Sequence, residues 1–352
     1  MHDIAALLAK FSNAHGLSGY EDEVAALLRD ELDPLVDEVR TDTMGNVIGV
    51  RAGDGPTVMV AAHMDEIGLM VSHIDKEGFL RVVPVGGWFD QTILSQRVVI
   101  RTRTGNTVTG VIGARPPHIM NAEDRKKVVK LREMFVDCGA SSAEEAEAMG
   151  VEIGSPITID RTFRRLGRDL VTGKALDNRA GVTMMVAALR SLRNQEVHAT
   201  IQAVGTVQEE VGLKGARTSA YGLIPDVAIA TDVTIPGDHP GVTQSDVHVV
   251  TGRGPAITVL DAGGRGIIAR PPVLRWLRES AEQSDIPYQL DVGNGGTTDA
   301  SAINITKTGI PCTVLSVPAR YIHSPVEVLS LTDLTNGAKL IAAAILSAHR
   351  HF

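Results

Sequence analysis

Near-continuous apolar runs recur along this chain, and each run predicts a β-strand that is buried on both faces. Four clear runs of this kind occupy residues 57–62, 200–207, 226–231 and 311–317. Between and around them, apolar residues recur at helical spacing, most clearly over 177–194 and 331–349. Strands that alternate with helices predict an α/β fold with a mixed, largely parallel sheet flanked by helices.

Residues 70–165 follow a different pattern, in which short β-rich segments are interrupted by glycine. The Thr-Gly-Asn sequence at 104–106 predicts a hairpin turn between two of these segments. Charged sequence rich in helix-forming residues then predicts helix over 123–135 and 141–150. Residues 157–167 predict a closing strand. The whole stretch is therefore expected to form a smaller, β-barrel-like unit.

The length of the chain fits this division, because 352 residues exceed what one hydrophobic core usually serves. We expect a larger α/β domain made of 1–69 and 166–352, with the β-rich domain of 70–165 inserted into it. At the start of a further helical pattern, Ser18 and Glu21 have the spacing of a capping box.

Composition excludes several classes of protein. The formal net charge is −8 and the two signs are interspersed, which argues against a nucleic-acid-binding surface. Only two cysteines occur, so a disulfide framework is not indicated and a reducing cytoplasm fits. Residues 1–16 have the pattern of an amphipathic helix and not that of a signal peptide, and no apolar run is long enough for a membrane span. These features predict a soluble, cytoplasmic protein that does not bind membranes.

Metal-ligating residue types stand at or just after the ends of the predicted strands. In open α/β sheets, ligands bind outside the carboxyl ends of the strands, so these side chains are expected to converge. A further carboxylate opens a predicted helix, where the helix dipole favours negative charge. The candidates are His63, Asp177, Glu209, Glu210, Asp232 and His323.

This inventory matches the needs of two divalent metals: a bridging carboxylate, a His and a carboxylate for each metal, and a spare carboxylate for proton transfer. Asp65 lies two residues after His63 and can accept its other ring N–H, which would orient a metal-bound imidazole. Each motif alone also has an ordinary structural interpretation. His63 and Asp65 can be a structural pair, Glu209 and Glu210 a solvated loop, and Asp177 a helix cap. The hypothesis depends on their conjunction.

Five motifs carry a resemblance to a known family. They are AAHMDEIG at 61–68, KALDNRAG at 174–181, VQEEVGLKGA at 207–216, ATDVT at 230–234 and YIHSPVEV at 321–328. In this order and spacing they resemble the tetrahedral aminopeptidases, dinuclear metallo-aminopeptidases known as glutamyl or deblocking aminopeptidases, some of whose relatives carry endoglucanase labels. GVIGARPPHIM at 110–120 and the segment 298–303 are also similar, whereas 295–301 departs slightly from the family's glycine-rich pattern at a substrate-side loop.

The resemblance implies a zinc-peptidase type of fold and a role for each candidate. One metal would be held by His63, Asp177 and Asp232, and the other by Asp177, Glu210 and His323, with Asp177 bridging the two. Glu209 would act as general base and acid, and Asp65 would orient His63. The metals would be two divalent ions per subunit, zinc or cobalt before manganese.

The resemblance also implies a homododecamer built from dimers, with the inserted domain serving dimerisation and assembly. His118 is a candidate to serve the site of a neighbouring subunit, whereas residues such as His73 and His248 are expected to be structural or surface histidines.

The predicted function is removal of N-terminal residues from short peptides, with Glu209 activating a water molecule between the metals. One alternative is a related two-metal amidohydrolase that removes acyl groups. A glycoside hydrolase is less favoured, because an aromatic content of 3% argues against a sugar-stacking cleft. A non-enzymatic scaffold would not need the spare carboxylate of Glu209.

Overall fold

The computed structural model describes residues 4–243, 245–293 and 295–352, so the first three residues of the predicted N-terminal helix lie outside it. The helices in the described residues are α1 (Ile4–Asn13), α2 (Asp22–Leu32), α3 (Asp90–Ile93), α4 (Ala143–Ala148), α5 (Leu176–Leu192), α6 (Lys214–Leu223), α7 (Pro271–Gln283), α8 (Asp299–Asn304) and α9 (Leu331–Ser347). The strands are β1 (Glu38–Thr41), β2 (Val47–Arg51), β3 (Thr57–His63), β4 (Gly68–Ile74), β5 (Leu80–Val85), β6 (Arg97–Arg101), β7 (Thr107–Gly113), β8 (Phe135–Asp137), β9 (Pro156–Ile159), β10 (Arg164–Leu166), β11 (Leu170–Gly173), β12 (Thr200–Thr206), β13 (Val227–Thr234), β14 (Ala256–Leu260), β15 (Gln289–Val292), β16 (Cys312–Arg320) and β17 (Glu327–Ser330).

A large mixed sheet forms the centre of the fold, in the order β1-β2-β12-β3-β13-β16-β17-β11-β10. Four adjacent strands, β12, β3, β13 and β16, run parallel to one another. They correspond to the four apolar runs of the sequence, so the predicted α/β class with a largely parallel sheet is confirmed. Because the four strands are parallel neighbours, their carboxyl ends meet at one edge.

The apolar runs are continuous because both faces of the sheet are buried. Along β3, the side chains of Val58, Val60 and Ala62 join the core under α5 and α9. Met59 and Ala61 point to the opposite face, where they join a second core with residues of α6 and α8. Because side chains alternate along the strand, successive residues point into two different cores. Apolar residues are therefore favoured at neighbouring positions.

Residues between β3 and β10 form a closed antiparallel barrel in the order β4-β5-β8-β7-β6-β9, with its own apolar core. This confirms the expected barrel-like unit, and the β6–β7 hairpin turns at 104–106 as predicted. The prediction of one closing strand over 157–167 was wrong. The segment divides into β9 in the barrel and β10 in the large sheet, because Phe163 between them packs against the α/β core.

The charged stretch 123–135 does not form the predicted α-helix. It contains two short 3-10 turns, Asp124–Lys126 and Leu131–Glu133, and most of its residues are exposed. A helix without a buried face gains little from packing, and here the Glu133 carboxylate instead accepts the backbone N–H of Lys130. The helix predicted over 141–150 is present as α4, capped by Ser142.

Among the helices in the described residues, none combines the length and the apolar character that a membrane crossing requires.

Candidate metal centre

Ligand-type side chains converge at the carboxyl edge of the four parallel strands. His63 is the last residue of β3, Asp232 lies near the end of β13, and His323 follows β16 by three residues. Glu209 and Glu210 follow β12 on the turn that leads to α6. The sheet register explains the convergence, because His63 pairs with the last residue of β12 and Ala230 pairs with Ala61 on β3.

His63 occupies the centre of the group. Its Nε2 lies 3.1 Å from Asp177 Oδ1, 3.9 Å from Glu209 Oε2 and 4.0 Å from Asp232 Oδ1. Its Nδ1 faces the opposite direction and lies 3.2 Å from the carbonyl oxygen of Asp65 and 3.4 Å from Asp65 Oδ1. The two ring nitrogens therefore have the separate partners that metal ligation requires: one nitrogen faces carboxylates and the other faces an orienting acid.

Asp177 lies between the two histidines. Its Oδ1 faces His63 Nε2, while its Oδ2 lies 3.4 Å from Nε2 of His323. The alternative role of Asp177 as a helix cap is filled by its neighbour, since the Oδ1 of Asn178 accepts the N–H of Gly181 at 2.9 Å. The carboxylate of Asp177 is thus left facing both histidines, which is the placement that a bridging ligand needs.

His323 completes the other side of the group, with its Nε2 3.2 Å from Glu210 Oε2. The inserted barrel approaches here, because a Cβ added to Gly87 would lie 3.2 Å from Nδ1 of His323. Trp88 of the same segment lines a small cavity together with Asp177, Glu210 and His323. The barrel therefore forms part of the wall of the site.

Asp65 does more than orient His63. Its Oδ1 accepts the backbone N–H of Glu209 at 3.0 Å, and its Oδ2 accepts that of Glu210 at 3.1 Å. Ser18 donates its hydroxyl to the same Oδ2 at 2.6 Å. One fully buried carboxylate thus positions a histidine and both glutamates.

The prediction of a capping box at Ser18 and Glu21 was wrong, because both side chains bind groups beside the site instead. Glu21 is the N-cap residue of α2 without a side-chain cap, and its Oε1 accepts the backbone N–H of Gln208 at 3.1 Å. Asn46 Oδ1 accepts the N–H of the preceding residue, Val207, at 3.0 Å. Four successive N–H groups, 207–210, are thereby bound by side-chain oxygens, so the turn that carries the glutamate pair is held along its whole length.

The electrostatics of the site favour a cation. Burial raises the pKa of Glu209 well above its usual range, with Asp232, Asp299 and Glu210 adding to the effect and His63 opposing it. Burial and Asp177 likewise raise the pKa of Asp232 well above its usual range. Burial and the neighbouring carboxylates together outweigh the opposing effect of His63 in both shifts.

The histidines show the complementary shift. Burial alone would lower the pKa of His323, but hydrogen bonds to Asp177 and Glu210 outweigh it and raise the pKa to about 11. For His63, the charges of Glu209, Asp177 and Asp65 likewise overcome burial and raise its pKa well above the usual range. Protons on these rings act as the positive charge that the acids demand.

Two buried acids were missed by the sequence reasoning. The carboxylate of Glu327 accepts the backbone N–H of Asp177 at 2.9 Å and that of His323 at 3.1 Å. Asp299 accepts the hydroxyl of Thr206, and burial raises its pKa to about 6. Their signal was present in the VEV and TDA segments that matched the family pattern, but spacing alone gave neither residue a partner.

The candidate ligand atoms lie close enough together to bind divalent metals, and their charges also suit a cation. Two overlapping trios have ligand atoms within 4.8 Å of one another: His63 with Asp177 and Glu210, and His63 with Glu209 and Asp232. These trios combine the residues differently from the predicted assignment to two metals, which stays a prediction. His118 does not belong to either trio; it lies on the exposed turn Pro117–Ile119 of the barrel unit.

Comparisons with known proteins find similarity over most of the chain. The chain matches the model of the M42 glutamyl aminopeptidase family over residues 45–340. It is 39% identical over 345 residues to a lysyl aminopeptidase of Pyrococcus furiosus, covering 96% of each chain. Its structure resembles aminopeptidase APDkam598 of the archaeon Desulfurococcus kamchatkensis, with a TM-score of 0.93, 48% identity and coverage of 97% and 94% of the two chains.

A third relative is described as forming large assemblies. The structure resembles the TET1 peptidase of Pyrococcus horikoshii, described as able to assemble into a tetrahedron or a large octahedral shell, with a TM-score of 0.88 and 34% identity. The match covers 98% of this chain and 99% of that one. The family model covers most of the chain, and these relatives cover nearly all of it, so the chain belongs to the M42 glutamyl aminopeptidase family, whose members are hydrolases that act on N-terminal residues.

Proposed function

We propose that this chain is an aminopeptidase that uses two divalent metal ions bound at the carboxyl edge of its sheet. The observation that carries the proposal is the placement of Asp177, whose two carboxylate oxygens face Nε2 of His63 and Nε2 of His323. A carboxylate shared between two histidines, with further buried acids around it, is a ligand set for a pair of metals. Zinc and cobalt suit these ligands best, and manganese is also compatible.

The assignment of ligands follows the predicted roles. His63, Asp177 and Asp232 would hold one ion, and Asp177, Glu210 and His323 would hold the other. The distances of 3.1 to 4.0 Å from His63 Nε2 to the surrounding carboxylates support the first set. The distances of 3.2 and 3.4 Å from His323 Nε2 to Glu210 and Asp177 support the second.

Glu209 is the proposed general base and acid. When bound, the two cations polarise the scissile carbonyl and make a water molecule easier to deprotonate. The carboxylate of Glu209 would take a proton from that water as its oxygen attacks the scissile carbonyl carbon, and would give the proton to the leaving amine as the C–N bond breaks. Two features support this role: Asp65 holds the backbone of Glu209, and the Glu209 side chain lies near His63.

The inserted unit of 70–165 is proposed to serve self-association, and a homododecamer built from dimers is the expected state. Exposed apolar side chains on this unit, including Phe89 and Ile119, which are 59% and 64% exposed, support the first point. The tetrahedral assembly of the Pyrococcus horikoshii relative supports the second. Light scattering coupled to size-exclusion chromatography tests the mass, and a monomer would contradict this part of the proposal.

A substrate panel tests the function. Aminoacyl-p-nitroanilides with free amines and their N-acetylated counterparts are assayed on chelated protein and after Zn²⁺ or Co²⁺ is returned. We expect release only from free-amine substrates and only with metal present. Because the relatives include a lysyl aminopeptidase and the family is named for glutamyl activity, the panel includes lysyl, glutamyl and leucyl substrates. Release of acetate from the N-acetylated substrates would indicate a deacylase, and turnover unaffected by chelation would contradict a metal-dependent reaction.

A further inference from the structure

Three charged side chains are buried beside the candidate metal centre and have no part in the chemistry proposed above. They are Glu66, Lys174 and Arg179, which are 3%, 2% and 0% exposed. Glu66 directly follows Asp65, whereas Lys174 and Arg179 lie on either side of Asp177 in the chain. We call them the buried charge cluster. Contacts within the cluster connect the chain segment that contains His63 to the segment that contains Asp177.

Lys174 makes the firmest contacts in this cluster. Its Nζ donates to both carboxylate oxygens of Glu66, at 2.6 and 2.8 Å, and to the carbonyl oxygen of Ala14 at 2.7 Å. The backbone N–H of Gly16 also donates to Glu66, at 3.0 Å. All three donors of the ammonium group are used, so Lys174 is fixed between the two segments and the loop that follows α1.

Arg179 is less well paired. Its Nη1 donates to the carbonyl oxygen of Phe11 at 2.9 Å, and its Nη2 lies 3.6 Å from Glu66 Oε1. Its Nε and Nη2 make no hydrogen bond within the described structure. An incompletely paired buried cation costs free energy, so this side chain is not explained by stability alone.

Taken together, the cluster places two cations against one carboxylate. Apolar side chains of similar volume often replace buried ionic groups without loss of stability, so stability alone does not explain this cluster. The neighbouring site has the opposite imbalance, since its carboxylates outnumber its two histidines. The surplus positive charge lowers the repulsion among these ligands but also repels a bound cation, so the cluster can favour metal binding only through the positions of the ligands.

We propose that Glu66, Lys174 and Arg179 are positioning residues that hold the His63 segment against the Asp177 segment and so set the affinity of the site for divalent cations. This inference rests on the proposed function, because it presupposes that the site binds metal. Orienting partners of metal ligands contribute about 10–100-fold to metal affinity in characterised sites.

The test compares metal binding with stability. Lys174→Met keeps most of the length of the side chain and removes its charge, and Zn²⁺ binding to metal-free protein is measured by competition with a chromophoric chelator. We expect an affinity loss of about 10–100-fold. The matched control is Leu277→Ala in α7, which removes buried volume from the helix that packs on α9 and leaves both segments intact. It should lower the unfolding temperature and leave Zn²⁺ affinity unchanged.

A double variant separates positioning from folding. In Glu66→Leu/Lys174→Met the charged pair is replaced by apolar groups, so the metal-free protein should unfold at a temperature no lower than the single variant while Zn²⁺ affinity stays reduced. Unchanged Zn²⁺ affinity in Lys174→Met and the double variant, or an equal loss in Leu277→Ala, would overturn this inference alone. Wild-type protein that binds no Zn²⁺ would overturn the proposed function and this inference with it.

Discussion

The barrel and the sheet edge bury very different side chains. Within residues 68–160, all of which the structure describes, no Asp, Glu, Lys, Arg or His is buried, and the core is made of residues such as Leu69, Val98, Ile100 and Ile157. The sheet edge, by contrast, buries at least two cations, a histidine and several carboxylates beside its apolar core. The barrel needs only apolar packing to be stable, whereas the sheet edge contains charges that packing alone would not favour. Buried charge therefore favours the sheet edge as the candidate site.

The largest expected effect separates the chemistry of the sheet edge from the barrel. Glu209→Gln removes the proposed base, and kcat should fall by about 10²–10⁴-fold while bound metal is retained. Glu147→Gln, on an exposed position of α4 in the barrel unit, is the matched control and should leave kcat unchanged. Both are measured with a free-amine aminoacyl substrate and by metal analysis. Near-normal turnover by Glu209→Gln would remove this residue from the mechanism.

The second prediction changes the barrel core and leaves the sheet edge intact. Ile100→Ala truncates a fully buried side chain in the barrel core and should lower the free energy of unfolding by about 2–5 kcal/mol. Because Ile100 belongs to the separate barrel core, we expect kcat and Zn²⁺ affinity to stay at the wild-type level under conditions where the variant is folded. Denaturant unfolding and steady-state assays measure the two quantities. A loss of metal affinity would show that the barrel core and the site are coupled.

A smaller effect is expected when a positioning contact of the site is weakened. Both oxygens of Glu327 accept backbone N–H groups, so the group acts as a carboxylate although burial raises its pKa. Glu327→Gln leaves only one acceptor oxygen, and we expect metal affinity to fall by about 10–100-fold.

The control for this variant comes from the barrel. Glu133→Gln changes a glutamate that also accepts a backbone N–H, that of Lys130, but on an exposed turn. Metal affinity should not change in this variant. Equal metal affinity in Glu327→Gln and the wild type, measured by chelator competition, would mean that Glu327 has no positioning role.

The smallest effect concerns protons. In metal-free protein the pKa values of His63 and His323 are raised, that of His323 to about 11, so both rings carry a proton at pH 7. Glu209 and Asp232 have raised pKa values and also favour their protonated forms. Metal ligation requires neutral imidazole and ionised carboxylate. Metal binding should therefore release about one or more protons per chain, and the affinity for metal should rise with pH. Calorimetry in buffers of different ionisation enthalpy measures the release, and heats that do not depend on the buffer would contradict it.

Much of the fold was predictable because local pattern and burial agree. The runs that became β3, β12, β13 and β16 are almost continuously apolar, since both sheet faces are covered, and their parallel order brought the ligand candidates to one edge. The barrel was predictable for the same reason, through glycine-punctuated β segments. The helix predicted over 123–135 did not form, because local helix propensity alone does not determine structure.

The site was predictable as a set of residues but not as a network. Motif position gave His63, Asp177, Glu209, Glu210, Asp232 and His323. Long-range partners had no local signal: Glu21 contacts a residue 187 positions away, and the N–H of Asp177 reaches Glu327 across 150 positions. The local pattern around Ser18 even favoured a capping box, because a hydroxyl that serves a distant carboxylate has the same sequence context as one that caps a helix.

The central claim is that this sheet edge is a two-metal centre for removing N-terminal residues, and one titration tests it most directly. Chelated protein is titrated with Co²⁺ while turnover of a free-amine aminoacyl-p-nitroanilide and bound metal are measured together. We predict no turnover at the start and a maximum when two ions are bound per chain. Full turnover in chelated protein, or a maximum that is reached with one ion per chain, would contradict the claim.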